Sequence, residues 1–237
     1  MKTLTPETIE EIAGKFRATY GLGAAEPINA KTILRRLNIL TMYRPMSTGL
    51  LGLSVKSTDG RKLFMLVNSA STRGQQHFTI AHELFHLLYE KTPKPHFYKD
   101  LHTKDASEKN ADMFASCLLM PRQGILMCIS EEDIVSHSPS IATLLKMEQL
   151  YGVAHQDMVQ RLRILKLVSE KWAKDMLKVD IAQTASEYGA EQTLLKPGNE
   201  NLFIGDFGSK ARKLFEDGKI SEGHYMELLN LIGNGQD

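Results

Sequence analysis

The spacing of apolar positions divides the chain into a short strand-rich part and a longer helical part. Between Ile9 and Phe16 apolar residues recur every three or four positions, which is the period of one helix face. Thr5 is placed to cap this helix, and a second short helix is expected at 29–37. Three brief apolar runs of strand length then follow at 39–44, 49–56 and 62–68. The turn sequence STDG joins the last two runs, so we predict a small antiparallel sheet.

From about residue 73 the apolar positions keep a helical period. Helices are expected at about 73–91, 107–120, 122–129, 139–151, 154–168 and 169–178. The pattern weakens between 180 and 208, where we expect loop with room for one strand. Two short helices, broken at Asp217 and Gly218, are expected to close the chain at 209–233. The predicted fold class is therefore α+β, with a small sheet packed on a mainly helical core.

Composition and charge narrow the class of protein. The 237 residues carry 29 Lys and Arg against 28 Asp and Glu, so a formal net charge of +1 favours neither nucleic acid nor a membrane as the main partner. No apolar run approaches the roughly 18 residues that span a bilayer, and MKTLTPETIEE lacks the apolar core of a signal peptide. Cys117 and Cys128 are expected to be reduced thiols. We expect a cytoplasmic protein.

The segment FTIAHELFHLLYE, residues 78–90, carries the clearest chemistry. Four residues along a helix turn by about 40°, so His82 and His86 share one face and can both bind one ion at about 2.0–2.1 Å. Glu83 lies about 100° away, where it can hold the attacking water and act as general base and then acid. Two histidines and a glutamate could also meet by accident on an amphipathic helix. The apolar flanks disfavour this, because an unpaired polar group buried there costs about 1–3 kcal/mol. The pattern is the H-E-x-x-H motif of zinc metallopeptidases.

A catalytic zinc site needs a third protein ligand and one open position. The downstream candidates are Glu90, His96, His102 and Glu108. In SEKNADMFASCLLMP, Ser107 is expected to cap a new helix on which Glu108 and Asp112 share a face. We predict that Glu108 is the third ligand of Zn²⁺ and that Asp112 accepts a hydrogen bond from the outer nitrogen of a ligating histidine. Glu90 could reach the same ion only if the first helix bent.

These two segments resemble one bacterial family closely. RGQQHFTIAHELFHLLYE followed by EKNADMFASCLLMP is similar to the ImmA/IrrE family of zinc metallopeptidases, and the similarity covers about residues 45–170. The resemblance implies a thermolysin-like plan, with H-E-x-x-H on one helix and E-x-x-x-D on the next. One position departs from the family pattern, because Asp112 stands where Asn is frequent. An aspartate suits a histidine-orienting role at least as well.

The resemblance continues into a helix pair at 141–169, which is similar to the helix-turn-helix-like segment of the family. Arg161, Arg163 and Lys166 could contact DNA from its second helix. The same pair could instead support the catalytic domain, and the apolar face of the second helix favours this second interpretation. We therefore divide the chain into a zincin-like peptidase domain (1–129), a helix-turn-helix-like segment (130–169) and a helical C-terminal extension (170–237).

Members of that family act on helix-turn-helix repressors, so the resemblance implies an endopeptidase that cleaves, or triggers cleavage of, an XRE-type transcriptional repressor. Two alternatives remain open at this point. One is a regulator that binds DNA or a repressor without cutting it, and the other is a toxin–antitoxin component whose peptidase fold binds protein. The strand at 62–68 is expected to be a sheet edge that pairs with substrate, with Asn68 and Ser69 as hydrogen-bond donors. The candidate donors to the oxyanion are Tyr98, His102, Tyr151 and His155.

Overall fold

The computed structural model describes residues 2–90, 95–99 and 105–232, and within these ranges the chain has the predicted α+β class. The α-helices are α1 (Pro6–Thr19), α2 (Ala30–Arg36), α3 (Arg73–Tyr89), α4 (Ala106–Leu119), α5 (Arg122–Cys128), α6 (Glu131–Ser136), α7 (Ile141–Tyr151), α8 (His155–Ile164), α9 (Glu170–Met176), α10 (Ile181–Glu187), α11 (Phe207–Glu216) and α12 (Glu222–Ile232). The strands are β1 (Ile39–Arg44), β2 (Leu50–Lys56), β3 (Leu63–Asn68), β4 (His96–Lys99) and β5 (Phe203–Ile204).

The strands form one mixed sheet in the order β4-β2-β3-β1-β5. The STDG turn makes β2 and β3 an antiparallel hairpin, as predicted. β1 pairs with the other side of β3 and runs parallel to it, so the sheet is not wholly antiparallel. β3 therefore lies in the interior of the sheet, because both of its sides are already hydrogen-bonded. The prediction that this strand is a free edge for substrate is wrong, and β4 occupies the edge beside β2.

α3 lies against the sheet, and α4 and then α1 pack behind it. The aromatic residues Phe16, Phe85 and Phe114 meet in this core and are almost fully buried. Gly52 on β2 faces α3, and a Cβ atom at this position would clash with the methyl group of Thr79. A larger residue at 52 would push the helix away from the sheet, so glycine fixes the close approach that positions α3.

The helix ends follow from local sequence. Thr72 caps α3 with a full capping box, in which its side chain accepts from the backbone of Gln75 and the Gln75 side chain accepts from the backbone of Thr72. Thr5 caps α1 as predicted. The cap of α4 is Asp105, whose carboxylate accepts from the backbone N–H of Ser107, so Ser107 lies inside the helix and is not its cap. The short helices α6 and α10 were not predicted, because few apolar residues mark them.

α7 and α8 form the predicted helix pair, and Gly152 ends α7 in the left-handed conformation with φ of +64°. Arg161 on α8 is 1% exposed and donates to the carbonyl of Met120 and to both carboxylate oxygens of Glu10 on α1. Its guanidinium therefore ties α8 to the catalytic core and is not available to DNA. The predicted domain boundaries at 129 and 169 remain a prediction, although these contacts cross the first of them.

The C-terminal region packs on the far edge of the sheet. β5 adds to β1, so one strand does lie within the weakly patterned stretch at 180–208. α11 and α12 pack against each other, and Arg44 donates to the carbonyl of Leu231 on α12. Among the described residues, no helix has both the length and the apolar composition to cross a bilayer.

Candidate active site

The H-E-x-x-H segment lies in the middle of α3, with His82, Glu83 and His86 all facing the protein interior. His82 and Glu83 are 0% exposed and His86 is 4% exposed. Buried ionisable groups persist only when other groups satisfy them, so the surroundings of these three side chains reveal what they do. Partners come from α4, which packs on one side of α3, and from β2 and β4, which lie on another.

Three nitrogen and oxygen donors from α3 and α4 converge on one point. The Nε2 atoms of His82 and His86 are 3.1 Å apart. Glu108 Oε2 lies 3.5 Å from His82 Nε2, and Glu108 Oε1 lies 3.6 Å from His86 Nε2. Ligand atoms at the corners of a tetrahedron around zinc, each about 2.0–2.1 Å from the ion, are separated by roughly 3.3–3.4 Å. The two histidine–glutamate separations involve different oxygens of Glu108, and a small adjustment of the side chains would bring one of these oxygens and both nitrogens around one divalent ion.

The outer nitrogen of His82 has a carboxylate partner. His82 Nδ1 lies 2.8 Å from Asp112 Oδ1, one turn of α4 beyond Glu108. Tyr98 on β4 stacks on the imidazole with ring centroids 3.7 Å apart, and its hydroxyl donates to the same carboxylate oxygen at 3.4 Å. With Nδ1 carrying the proton toward Asp112, Nε2 presents its lone pair to the convergence point. Burial opposes charging of His82, but hydrogen bonds to Asp112 and Glu108 outweigh it and raise its pKa.

His86 behaves as a neutral imidazole. Burial, together with the nearby His82 and His96, lowers the pKa of His86 to about 3. Glu90 Oε2 lies 3.0 Å from His86 Nδ1, but the contact lacks the alignment of a hydrogen bond. Nδ1 is therefore a buried nitrogen with no hydrogen-bond partner within the described ranges. Glu90 lies on the side of His86 away from Glu108 and is not placed to share an ion with the histidines.

The carboxylate of Glu83 is held from β2 and β4. Ser54 on β2 donates its hydroxyl to Glu83 Oε2. His96 on β4 places Nδ1 3.1 Å and 3.0 Å from the two oxygens of Glu83. Ser54 and His96 are directly paired in the β2–β4 register, which is why both reach the same side chain. The edge of the sheet thus fixes the orientation of Glu83.

His96 also reaches the convergence point. Its Nε2 lies 2.8 Å from Glu108 Oε1, and its ring stacks on His86 at 3.6 Å between centroids. Burial opposes its charging, yet hydrogen bonds to Glu108 and Glu83 outweigh burial and raise the pKa of His96 to about 10. Burial likewise opposes ionisation of Glu108, but hydrogen bonds from His82 and His96 hold the pKa of its carboxyl well below the usual range. The donor atoms of His82, His86, His96 and Glu108 all lie within 4.8 Å of one another, a cluster compatible with a metal ion.

The candidate oxyanion donors divide clearly. Tyr98 lies at the cluster, whereas the hydroxyl of Tyr151 donates to the carbonyl of Ala25 and His155 is bonded to Glu148 and Met176. Tyr151 and His155 therefore have structural roles, and the prediction that they donate to the oxyanion was wrong. His102 lies outside the described residues.

The expected substrate donors at the end of β3 are also engaged elsewhere. The Asn68 side-chain amide donates to the carbonyl of Leu50, while its oxygen accepts from the backbone of Met46 and Ala70. The backbone N–H of Ser69 donates to the carbonyl of Arg44. Asn68 therefore fixes the local loops, and neither of these groups is free for substrate.

Sequence reasoning did not find Ser54 and His96 as partners of Glu83. His96 was considered only as a metal ligand, and no short motif marks a serine on a strand. A weak signal existed for Ser54, because it is a polar residue at an inward position of an apolar strand. Glu90 was considered as a ligand, although its spacing of four residues from His86 places it beside the outer nitrogen instead.

Comparison with known protein families agrees with the geometry of the cluster. The Peptidase_M78 family model, described as the IrrE N-terminal-like domain, matches residues 34–163. That range begins in α2 and ends in α8, so it contains strands β1 to β4, both helices of the cluster, all of α7 and α8 up to its penultimate residue. None of the curated proteins compared with the chain matches it. Because the match covers more than half of the 237 residues, the chain belongs to the M78 peptidase family, the family of the IrrE N-terminal-like domain.

Proposed function

We propose that this protein is a zinc-dependent endopeptidase whose substrate is a helix-turn-helix transcriptional repressor. The single observation that supports a zinc hydrolase best is the convergence of His82, His86 and Glu108, with separations of 3.1, 3.5 and 3.6 Å between donor atoms. Two imidazoles and one carboxylate form a donor set typical of catalytic zinc. The neutral state of His86 and the ionised state of Glu108 are the forms that bind a cation.

In this proposal His82, His86 and Glu108 hold the zinc ion. The ion would polarise the scissile carbonyl and lower the pKa of a water molecule beside it. Asp112 fixes the tautomer and ring orientation of His82 through the 2.8 Å contact with its Nδ1 atom. A ligand held in one orientation loses less entropy on binding, so Asp112 strengthens the site without touching the ion.

Glu83 acts as the proton carrier. Its carboxylate takes a proton from the attacking water and then donates it to the leaving amine. Ser54 and His96 hold the carboxylate oxygens, which prevents the side chain from rotating away between the two transfers. Hydrogen bonds to Glu108 and Glu83 raise the pKa of His96 to about 10, so a charged imidazole would hold both carboxylates in place.

The outer side of β4 would supply a binding mode for an extended substrate. Within the described ranges β4 is the strand at the edge of the sheet beside β2, and a peptide could add to such an edge as a further strand. His96 and Tyr98 are half-buried toward the cluster, while Phe97 and Lys99 are exposed. A peptide paired with this edge would lie next to Glu83 and to the three proposed ligands. The choice of a repressor as substrate rests on the resemblance of the two motif segments to the ImmA/IrrE family.

The test is digestion of a purified helix-turn-helix repressor encoded by a neighbouring gene, with zinc supplied and with a chelator. We expect fragments only with zinc. Glu83→Gln should keep one bound zinc and yield no fragments, whereas His86→Ala should lose the metal. Glu131→Gln, an exposed change of the same kind on α6, should cleave normally. A stable complex without fragments in the zinc-loaded wild type would favour a non-cleaving regulator instead.

A further inference from the structure

A cavity of about 540 Å³ opens next to the proposed catalytic centre, on the Asp112 side of His82. Its wall includes Tyr98 and Asp112, and both of these residues contact His82 directly. The cavity extends from there between α1, α4 and α8. Its volume lies within the range of pockets that bury small ligands or side chains. A group bound in it would therefore lie one residue layer away from the proposed zinc site.

Asp157, in the first turn of α8, lines this cavity with a carboxylate that has no partner among the described residues. The side chain is half-buried, and no described residue donates a hydrogen bond to it or forms an ion pair with it. Burial and the like charge of Asp112 raise the pKa of Asp157 to about 7. Burial has therefore removed part of the water around the carboxylate, and no described residue replaces that water as a donor. A buried acid in that position is satisfied by a cation that arrives with a ligand.

The rest of the wall suits a long side chain with an apolar stem. Phe78, Leu51 and Met113 line the cavity and are half-buried. Two lysines, Lys99 and Lys109, also border it, but both are exposed, whereas Asp157 is withdrawn from solvent. The exposed ammonium groups are hydrated and screened, so the half-buried carboxylate of Asp157 sets the charge inside the cavity. An alkyl stem ending in a planar group with several N–H donors matches apolar walls and such a carboxylate.

We propose that this cavity binds an arginine side chain of the peptide substrate, near the scissile bond, with Asp157 as its principal partner. The proposal rests on the peptidase function proposed above and adds to it the chemical class of substrate. A peptide paired with β4 passes Tyr98, which belongs both to that strand and to the cavity wall. Asp157 is then a residue that determines specificity and takes no part in proton transfer.

The test compares two pentapeptide amides that carry alanine at all positions except the centre, which is arginine in one and citrulline in the other. Citrulline has nearly the same shape but no charge. Binding is measured by calorimetry with zinc-loaded Glu83→Gln protein, which cannot consume the peptides. We expect the arginine peptide to bind about tenfold more tightly, since a charge-assisted hydrogen bond is worth at least that ratio. Asp157→Asn in the same background should remove the preference, and Glu131→Gln should retain it.

Equal binding of the two peptides would overturn the proposal, as would a preference that survives in Asp157→Asn. A second measurement separates this proposal from the peptidase function. The zinc-loaded wild type is given a peptide library, and cleavage sites are read by mass spectrometry. Cleavage without enrichment of arginine near the cut would leave the peptidase standing and remove the arginine site. A binding preference that depends on Asp157, with no cleavage of any peptide, would support the cavity as a cation-recognition site and refute the peptidase.

Discussion

Asp112 Oδ1 lies 2.8 Å from the Nδ1 atom of His82, on the side of the imidazole opposite the proposed metal position. Asp112→Ala removes the group that holds the ring, so we expect zinc affinity or activity to fall roughly 10–100-fold. Zinc affinity is measured by competition with a chromophoric chelator. Asp217→Ala, an exposed change at the C-terminal end of α11, serves as the control. If Asp112→Ala matches the wild type in both properties, Asp112 is only a packing residue.

Among the described residues, Ser54 supplies the only hydroxyl group that donates to the carboxylate of Glu83. Ser54→Ala leaves the proposed metal ligands in place but removes one of the two donors to Oε2 of the proton carrier, so that only His96 still holds this oxygen. We expect zinc content to be unchanged and kcat to fall about 10-fold or more, because a hydrogen bond to a charged group is worth about 1.5–3 kcal/mol. The measurement is steady-state cleavage together with metal analysis. Ser136→Ala, exposed on α6, should behave like the wild type, and loss of zinc from Ser54→Ala would contradict the assigned role.

The pH dependence of the free energy of unfolding should report the carboxylate of Asp157. Its pKa is raised from an ordinary value of 3.8 to about 7. Between these values the folded protein holds a proton that the unfolded chain releases, so the free energy of unfolding falls as pH rises through that interval. Asp157→Asn cannot ionise and escapes this loss. We expect the variant to be more stable than the wild type by about 1–4 kcal/mol near pH 8 and nearly equal to it near pH 4.

Urea unfolding of the metal-free proteins across that pH interval measures the difference. Glu131→Gln removes an exposed carboxylate and should follow the wild-type curve. A destabilised Asp157→Asn protein at high pH would mean that the carboxylate has a stabilising partner in the folded state.

Arg161 decides between the two interpretations of the α7–α8 pair. Its guanidinium is buried against Glu10, Cys117 and the carbonyl of Met120. Arg161→Ala should lower the free energy of unfolding by about 2–4 kcal/mol, since it leaves a partly buried carboxylate and a carbonyl without their donor. Arg163→Ala removes exposed contacts with Glu170 and Gln160 and should cost about 0–1 kcal/mol. Chemical denaturation of both variants provides the comparison. An unchanged stability of Arg161→Ala, combined with loss of DNA retardation in a gel, would favour DNA binding.

The local sequence determined the elements and the main chemical groups. Helical spacing predicted α3 and α4, the STDG turn predicted the β2–β3 hairpin, and the i,i+4 rule put His82 and His86 on one face. These features depend on residues close together in the chain, where backbone geometry fixes the side-chain directions. For the same reason, the spacing of Glu108 and Asp112 predicted that they share one face of α4, although it did not show which residues they contact.

Tertiary structure alone decided which side chains meet. β1 pairs with the side of β3 that the β2–β3 hairpin leaves open and runs parallel to it, and this places β3 in the interior of the sheet. The register of β2 with β4 brings Ser54 and His96 to Glu83, across 29 and 13 positions of the chain. The cavity at Asp157 requires α1, α4 and α8 together. Contacts of this kind depend on packing between distant segments, and no periodic pattern in one segment encodes them.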